Sequence, residues 1–226
     1  MHVPTHANPS LRDRIVADIV SGALPFGARV TIDSLAQRYS SSHMPVREAL
    51  RELHGEGLVL MERNRGARVV TVDREFVECM FDTRGALEIM LTRRAVMRCG
   101  EAGQAILLAI EDELEQHVKD GAAASVHDAN RRFHNAIYTA AQNPDALAVV
   151  RRYWIMNAAI WHRYGYAPER FAGMILDHRH LLRAIRERDV EAGAVLIGAH
   201  VIKAKQELLT RMARDEAAST TMTRAA

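Results

Sequence analysis

The sequence has few cysteines and aromatic residues, and it lacks the long apolar runs of membrane spans. Aromatic residues make up 5% of its 226 residues, and its two cysteines, Cys79 and Cys99, form no CxxC pair. So few cysteines exclude a disulfide-rich fold, and we expect both to be free thiols in the core of a cytosolic protein. No run of about eighteen apolar residues is present, and the first residues lack an apolar region of the signal type. These absences predict a soluble, cytoplasmic protein without a membrane partner.

The composition that remains is that of a helical globular protein. Hydrophobic residues make up 48% of the chain and charged residues 26%, so a packed core is expected and disorder is not. Alanine, leucine, arginine and glutamate abound, which favours helices over sheets. The formal net charge is only +2, so a nucleic-acid binder of this composition has to concentrate its positive charge in one place.

The segment from Ser40 to Leu53 has the pattern of a short helix that can enter a DNA groove. A run of serines at 40–42 leads into the helix, residues 42–44 can supply its cap, and Pro45 suits its first turn. Apolar residues then recur at i, i+3, i+4 and i+7, as Val46, Ala49, Leu50 and Leu53. Arg47 and Arg51 lie four residues apart on another face. Taken alone, this pattern fits a DNA-reading helix and an ordinary charged surface helix equally well.

The flanking segments favour the DNA-reading interpretation. Two further helices are predicted before residue 40, the first of them starting at Ser10. After the third helix, aliphatic runs at 58–62 and 67–72 enclose the basic tip Arg63-Asn64-Arg65-Gly66, which predicts a β-hairpin. Three helices followed by a basic hairpin are the element order of a winged helix-turn-helix, a DNA-binding fold.

These residues resemble the DNA-binding domain of the GntR family of bacterial transcription regulators. The matching pieces cover about residues 10–72 and are Gly22-Ala23-Leu24-Pro25-Phe26-Gly27, Leu35-Ala36, Pro45-Val46-Arg47-Glu48-Ala49-Leu50, Leu53 and Glu56-Gly57-Leu58-Val59. The resemblance implies DNA binding, usually for repression, by a homodimer on a palindromic operator. The residues expected to contact DNA are Ser42, His43, Met44, Arg47, Arg51, Arg63, Arg65 and Gly66.

Two departures from the family pattern stand out. Ser42-His43-Met44 replaces the usual Ser-Arg-Thr before the proline, so an arginine that typically reads guanine is a histidine here. A histidine can donate or accept only through the two nitrogens of its imidazole ring, where a guanidinium offers a fork of donors. We therefore expect an altered or less strict half-site and retained DNA binding. Phe26 stands where a second turn proline is usual, which we expect to matter little.

The chain from Asp73 onward has a helical pattern throughout. Six helices are predicted, at about residues 74–99, 102–120, 125–141, 145–165, 170–187 and 189–214. Six helices of this length bury a core of their own, so we predict a mainly α protein, a winged helix-turn-helix followed by an all-α six-helix bundle. The predicted divisions are a flexible arm at 1–9, the DNA-binding domain at 10–72, a ligand-binding and dimerisation bundle at 73–214 and a flexible tail at 215–226.

Three of the eleven histidines lie within apolar stripes of the bundle. His134, His178 and His200 each point toward the interior at helical spacing, and Asn130 lies one turn before His134. A single histidine in such a stripe is most often a satisfied core residue. Three imidazoles are costly to bury without partners, whereas a shared cation satisfies all of them. The pattern alone leaves core histidines and a metal site both open.

The bundle resembles the ligand-binding domain of the FadR subgroup of the same family, the FCD domain. The matching pieces are Arg84-Gly85-Ala86-Leu87-Glu88, Asn130-Arg131-Arg132-Phe133-His134, Asn143-Pro144, His178, Ala184-Ile185, Asp189 and Ala199-His200. The resemblance implies that Asn130, His134, His178 and His200 hold a divalent metal, with Asn130 standing where aspartate is common. Three imidazoles suit zinc, nickel or another first-row transition metal better than magnesium or calcium.

A metal in the bundle leaves open positions that a small carboxylate effector can fill. Arg84 is the residue expected to bind that carboxylate, with a salt bridge to Glu88 one turn later as the alternative. The predicted function is a ligand-responsive, non-enzymatic transcription regulator. Two other interpretations stay open. One is a metal-dependent, hydrolase-like enzyme, although no HExxH motif or placed general base supports it, and the other is a DNA-binding protein with a purely structural metal.

Overall fold

The chain folds into two compact units in the computed structural model. The structure describes residues 9–62, 66–165 and 168–225. The first unit contains the chain up to Asp73 together with Ile155–Arg163, and the second contains Arg74–Trp154 and the chain from Tyr164 onward. The sequence pattern had assigned all of 145–165 to the bundle. Helical periodicity indicates that a segment is a helix but not which unit its residues join, so this division is visible only in three dimensions.

The first unit is a winged helix-turn-helix, as predicted. Its elements are α1 (Leu11–Val20), β1 (Arg29–Val30), α2 (Ile32–Tyr39), α3 (His43–Gly55), β2 (Val59–Glu62) and β3 (Gly66–Val69). The strands form one antiparallel sheet in the order β1-β3-β2, with Arg29 opposite Arg68 and Glu62 opposite Gly66. Strands β2 and β3 are the two arms of the predicted hairpin, which we call the wing, and β1 pairs with β3.

Helix α3 is held by the apolar stripe that the sequence predicted. Its four stripe residues Val46, Ala49, Leu50 and Leu53 are all buried. Ser40, in the left-handed conformation with a φ of 51°, ends α2 and turns the chain toward α3. Ser42 occupies the N-cap position, but its side chain makes no capping hydrogen bond, so that part of the prediction is wrong. A capping oxygen bonds the N–H of the second or third helical residue, and the third is Pro45, which has none.

Gly66 begins β3, and its backbone lies against the end of β1. Its φ is +91°, and a Cβ placed there would overlap the carbonyl oxygen of Val30 and lie 2.9 Å from Cα of Thr31. We expect Gly66→Ala to lower the free energy of unfolding by about 3 kcal/mol, because it combines a strained backbone with a steric overlap that pushes β3 away from β1. Urea unfolding followed by circular dichroism measures this loss.

Gly22→Ala is the matched control for that experiment. Gly22 also has a positive φ, +75°, but nothing lies within 4 Å of its Cβ position. We expect Gly22→Ala to lower the free energy of unfolding by only about 1 kcal/mol, which is the cost of placing a residue with a Cβ in the left-handed conformation. Equal losses in the two variants would contradict the role given to the close approach of β3 and β1.

In the described part of the chain six helices follow β3, and their order and bounds agree with the prediction apart from the last; all lie in the second unit except residues 155–163 of the fourth, which belong to the first. They are α4 (Arg74–Arg98), α5 (Glu101–Lys119), α6 (Ala123–Ala140), α7 (Pro144–Tyr164), α8 (Pro168–Glu187) and α9 (Val190–Ala225). Helix α9 was expected to end near residue 214, whereas it continues to Ala225. Residues 215–225 contain neither glycine nor proline, so nothing in them interrupts a helix, although they lack an apolar stripe.

The interior of the second unit combines an aliphatic core with an unusual number of polar side chains. Its main apolar cluster includes Leu91, Phe133, Ile137, Leu181, Ile185 and Ile197. Buried in the same unit are the polar side chains of Arg84, Glu88, Thr92, Glu111, His134, Asp177, His178 and His200. Charged groups are rarely buried unless they are paired or serve a site, so this set locates the candidate site.

Two smaller predictions can also be compared with the structure. Cys99 is buried and free, as expected, but Cys79 is free and exposed, so its assignment to the core is wrong. Cys79 lies near the start of α4, two residues after buried Val77, and two residues along a helix turn the side chain to another face. Within the described residues, no helix has the length and apolarity that crossing a membrane requires.

Candidate functional site

Three imidazoles from three helices meet in the interior of the second unit. His134 on α6, His178 on α8 and His200 on α9 are 1%, 0% and 6% exposed. Their ring centroids lie 5.1, 5.0 and 5.2 Å apart in the three pairs. One nitrogen of each ring lies within 4.8 Å of a nitrogen of each of the others. The structure thus brings together the three histidines that the sequence singled out.

Burial keeps at least two of these rings in the neutral form. Burial lowers the pKa of His134 well below 6.5, and the neighbouring His200 and His178 lower it further. Burial also lowers the pKa of His200 to about 4, although the hydrogen bond with Asp177 opposes the shift. A neutral imidazole carries a lone pair on one nitrogen, which is the form that binds a metal.

Each of the three rings is held through its Nδ1 atom by an oxygen. His134 Nδ1 lies 3.2 Å from the Tyr138 hydroxyl, His178 Nδ1 lies 2.7 Å from Glu111 Oε2, and His200 Nδ1 lies 3.2 Å from Asp177 Oδ2. An oxygen partner that takes up Nδ1–H leaves the Nε2 lone pair available. Histidines that ligate metals have this arrangement, with an outer partner that sets the tautomer and the ring orientation.

Buried atoms of the predicted ligands have the chemistry that binds a cation. Among the described residues, His134 Nε2, His178 Nε2 and the Asn130 side-chain oxygen are buried and have no hydrogen-bond partner. Buried polar atoms without partners cost free energy, and all three of these atoms are possible metal ligands. The donor set predicted from the sequence is therefore chemically suited to a divalent transition metal.

Arg84 lies in a buried network beside the histidines. Its Nε donates to Glu88 Oε1 at 2.8 Å, and the Tyr138 hydroxyl donates to Glu88 Oε2 at 2.7 Å. The Arg84 guanidinium also lies 4.8 Å from the ring centroids of both Phe81 and Trp154. The sequence left two roles open for Arg84, binding of a carboxylate effector and a salt bridge to Glu88, and the structure contains the salt bridge. Because Tyr138 gives its proton to Glu88, its oxygen accepts from His134 Nδ1–H, which connects Arg84 to the cluster.

Sequence reasoning missed the residues that hold the three rings. Glu111 carried a usable signal, because it occupies an apolar stripe of α5 between Leu107 and Leu114, where a carboxylate needs a reason to be buried. Tyr138 lies one turn after His134 and was visible in the same stripe. Asp177 gave no signal, since adjacent residues of a helix point in different directions.

A cavity of about 310 Å³ between α8 and α9 reaches His200. Lys203 Nζ donates to Asp177 Oδ1 at 2.6 Å on its wall. Burial raises the pKa of Asp177, but hydrogen bonds from His200 and Lys203 outweigh it and lower that pKa to about 2. Asp177 therefore remains a carboxylate at neutral pH and supports His200 from the side of the cavity.

The residues predicted to contact DNA lie on the first unit. Those on α3 and at its start are all exposed, namely Ser42, His43, Met44, Arg47 and Arg51. His43 Nε2 lies 3.1 Å from Asp33 Oδ1 on α2. Gly66 begins β3, and Arg63 and Arg65 lie outside the described residues. Arg68, next to them in the wing, donates to Glu62 and to the Gly27 carbonyl and is thereby bound within the unit.

A winged helix-turn-helix with exposed arginines on its third helix, followed by a helical unit with a buried histidine cluster, is the architecture of a DNA-binding transcription regulator. Comparison with known proteins gives the family. The gntR family of bacterial regulatory proteins matches residues 9–69, and the FCD domain matches residues 79–203. The chain belongs to the GntR family of transcription regulators, and its helical part is an FCD domain, as in the FadR subgroup.

Several relatives cover most of the chain. The HTH-type transcriptional repressor GlaR of Escherichia coli strain K12 is 26% identical over 193 residues, which are 82% of this chain and 88% of GlaR. The solved structure of E. coli McbR has a TM-score of 0.75 at 22% identity and covers 91% of this chain and 96% of its own. A GntR regulator from Rhodococcus sp. RHA1 has a TM-score of 0.70 at 19% identity and covers 88% and 96%. At these identities the two structures support the fold.

Proposed function

We propose that this protein is a ligand-responsive transcriptional repressor that binds a palindromic operator as a homodimer. In this proposal residues 10–72 bind DNA, and residues 73–214 dimerise and bind a metal and a small carboxylate effector. The observation that carries the sensory part is the cluster of three buried imidazoles whose Nδ1 atoms are already occupied. The name of GlaR, a repressor, supports repression as the mode of action.

The DNA-binding part of the proposal rests on helix α3 and the wing. Arg47 and Arg51 are exposed on α3, where guanidinium groups can reach base edges or phosphates in the major groove. The wing is proposed to contact the sugar-phosphate backbone of the DNA through Arg63, Arg65 and Gly66. His43 is proposed to read one base where related proteins use arginine, and its bond to Asp33 Oδ1 orients the ring before DNA arrives.

The metal part of the proposal assigns four ligands, Asn130, His134, His178 and His200. Imidazole nitrogens favour zinc, nickel and similar ions, and a neutral amide oxygen completes the set more weakly than a carboxylate. When bound, the cation supplies open coordination positions for an oxygen of a carboxylate. The residues of the chain then orient that ligand and exclude water.

The effector part of the proposal places a carboxylate near Arg84 and Trp154. The Trp154 ring lies 4.8 Å from the Arg84 guanidinium and 5.2 Å from the His134 ring, and its buried Nε1–H has no acceptor among the described residues. A carboxylate that accepts from Trp154 and Arg84 competes with Glu88 for the guanidinium. Since Glu88 also accepts from Tyr138, which holds His134, the effector and the metal affect each other's affinity by the same factor.

The experiment that tests the function starts from an operator selected from random duplexes with the metal-loaded protein. Fluorescence anisotropy then measures operator affinity in the presence of mono- and dicarboxylates of two to six carbons. We expect at least one of them to change operator affinity about tenfold or more, which is a coupling of about 1.4 kcal/mol. Selection of no specific duplex would contradict the DNA-binding part, and a uniform lack of response would contradict the effector part.

Arg84→Lys separates an effector residue from a structural one. Lysine keeps the positive charge beside Glu88 but loses the planar fork that binds a carboxylate in a bidentate manner. We expect operator affinity to stay within about twofold and the concentration of carboxylate for half response to rise about tenfold or more. Arg93→Lys is the control, because Arg93 is an exposed residue of the same helix that pairs with Glu191. An unchanged response in Arg84→Lys would leave Arg84 as a packing charge.

A further inference from the structure

Three buried or nearly buried carboxylates lie around the histidine cluster. They differ in how many of their oxygens have a hydrogen-bond partner. Both oxygens of Glu88 accept hydrogen bonds, from Arg84 and Tyr138. Both oxygens of Asp177 also have partners, Lys203 and His200. Glu111 differs, because its Oε2 bonds His178 whereas its Oε1 is buried and has no partner among the described residues.

The missing hydrogen-bond partner of Glu111 Oε1 is costly because the side chain is buried among apolar residues. Its side chain is 0% exposed and occupies an apolar stripe of α5. A carboxylate taken out of water without a full set of partners is among the least favourable groups in a protein interior. A hydrophobic residue would pack between Leu107 and Leu114 at no such cost, so the packing of α5 does not account for a glutamate there.

We propose that Glu111 is a positioning residue for the metal, which fixes His178 through Nδ1 and is balanced in charge by the cation bound at Nε2. This inference rests on the metal site of the proposed function. The Phe133 ring supports it, because it stacks on the His178 ring at a centroid distance of 4.2 Å and an interplanar angle of 13°. The stacking fixes the plane of the ring and the bond to Glu111 fixes its rotation within that plane, so the direction of Nε2 is set before a metal arrives.

His178 is thereby the anchoring ligand of the three. His134 is held by the hydroxyl of Tyr138, which carries no charge, and His200 is held by Asp177, whose charge is shared with Lys203. Among the described residues, His178 is the one through which the charge of Glu111 can be balanced, by a cation bound to the His178 ring. An anionic outer partner makes an imidazole a stronger donor, so Glu111 contributes more to metal affinity than Tyr138 does.

The test compares metal affinity in Glu111→Gln and in wild-type protein, both stripped of metal. Zinc and nickel affinities are measured by competition with a chelator of known affinity. Glutamine can still accept from His178 Nδ1–H but carries no charge, and we expect affinity to fall about 10- to 100-fold. Tyr138→Phe should lose less than Glu111→Gln. Glu115→Gln, which removes the same charge one turn later on α5 from a residue bonded to Arg179, should match wild type.

A second readout separates positioning from a general effect on stability. Thermal unfolding of metal-free Glu111→Gln should stay close to wild type, while the rise in melting temperature on adding zinc should shrink. The visible absorption of the cobalt-substituted protein, which reports ligand geometry, should shift in Glu111→Gln and not in Glu115→Gln. If Glu111→Gln does not fold, Glu111→Asp replaces it, since it keeps the charge but moves the carboxylate away from Nδ1, and affinity should again fall.

The outcomes distinguish the inference from the function on which it rests. Metal binding by wild type with weaker binding by the Glu111 variants supports both. Equal affinities in wild type and the Glu111 variants, or an equal loss in Glu115→Gln, overturn the role of Glu111 and leave the metal site standing. No metal binding by wild type overturns the metal site and the inference with it, while operator binding remains to be judged on its own.

Discussion

Replacement of His178 by alanine is expected to abolish the binding of a divalent metal, with an affinity loss of at least about 100-fold. The substitution removes one of three imidazoles whose nitrogens lie within 4.8 Å of one another, and it leaves Glu111 without the ring it holds. Elemental analysis of purified protein should give about one metal per chain for wild type and essentially none for His178→Ala. His134→Ala should behave in the same way.

His180→Ala is the control for this result. His180 lies on the same helix two residues later and is exposed, so its removal should leave the metal content unchanged. Equal losses in His178→Ala and His180→Ala would indicate a general effect on α8. Wild-type protein without any metal would leave the three histidines as core residues and would reopen the question of where an effector binds.

Replacement of Glu88 by alanine is expected to lower the free energy of unfolding by about 3–5 kcal/mol. Arg84 is 3% exposed and Glu88 is 0% exposed, so the variant leaves a guanidinium in the interior without the carboxylate that neutralises it. The Tyr138 hydroxyl loses its acceptor at the same time. Urea unfolding measures the loss, and the double variant Arg84→Met with Glu88→Leu should recover most of it, because burial of two apolar side chains needs no compensation.

A second ion pair on the same helix provides the comparison. Arg74 and Glu78 have the same i, i+4 spacing at 3.0 Å, but their side chains are 63% and 38% exposed. Glu78→Ala should change the free energy of unfolding by no more than about 0.5 kcal/mol, because water screens the pair. Similar losses in Glu88→Ala and Glu78→Ala would mean that burial of the Arg84–Glu88 pair has no energetic consequence.

The parts of the fold that the sequence predicted are those set by local chemistry. Helix bounds in the second unit follow from apolar periodicity and from glycine and proline breaks, and most agree with the structure to within a few residues. The inward direction of His134, His178 and His200 follows from the same periodicity. A local pattern can say that each imidazole is buried, but their meeting at one point is a property of how α6, α8 and α9 pack.

The parts that the sequence did not predict depend on contacts between distant residues. The bond between His178 and Glu111 joins positions 67 apart, and nothing in either segment specifies the other. The salt bridge of Arg84 lies one turn away on the same helix and was therefore available as an alternative. The missing side-chain cap of α3 is an error of another kind, since the proline at the third helical position was visible in the sequence and removes one of the two N–H groups that a cap can bond.

Two of the outer partners of the three imidazoles tie one helix to another. Tyr138 holds His134 within α6, while Glu111 joins α5 to α8 and Asp177 joins α8 to α9. A cation held by all three rings therefore acts as a reversible cross-link, closing loops of 44 residues (178 − 134) and 22 residues (200 − 178). Cross-links restrict the unfolded chain and favour the folded one. Under the proposed function, metal loading is thus expected to set how long the protein resists proteolysis as well as whether it responds to a carboxylate.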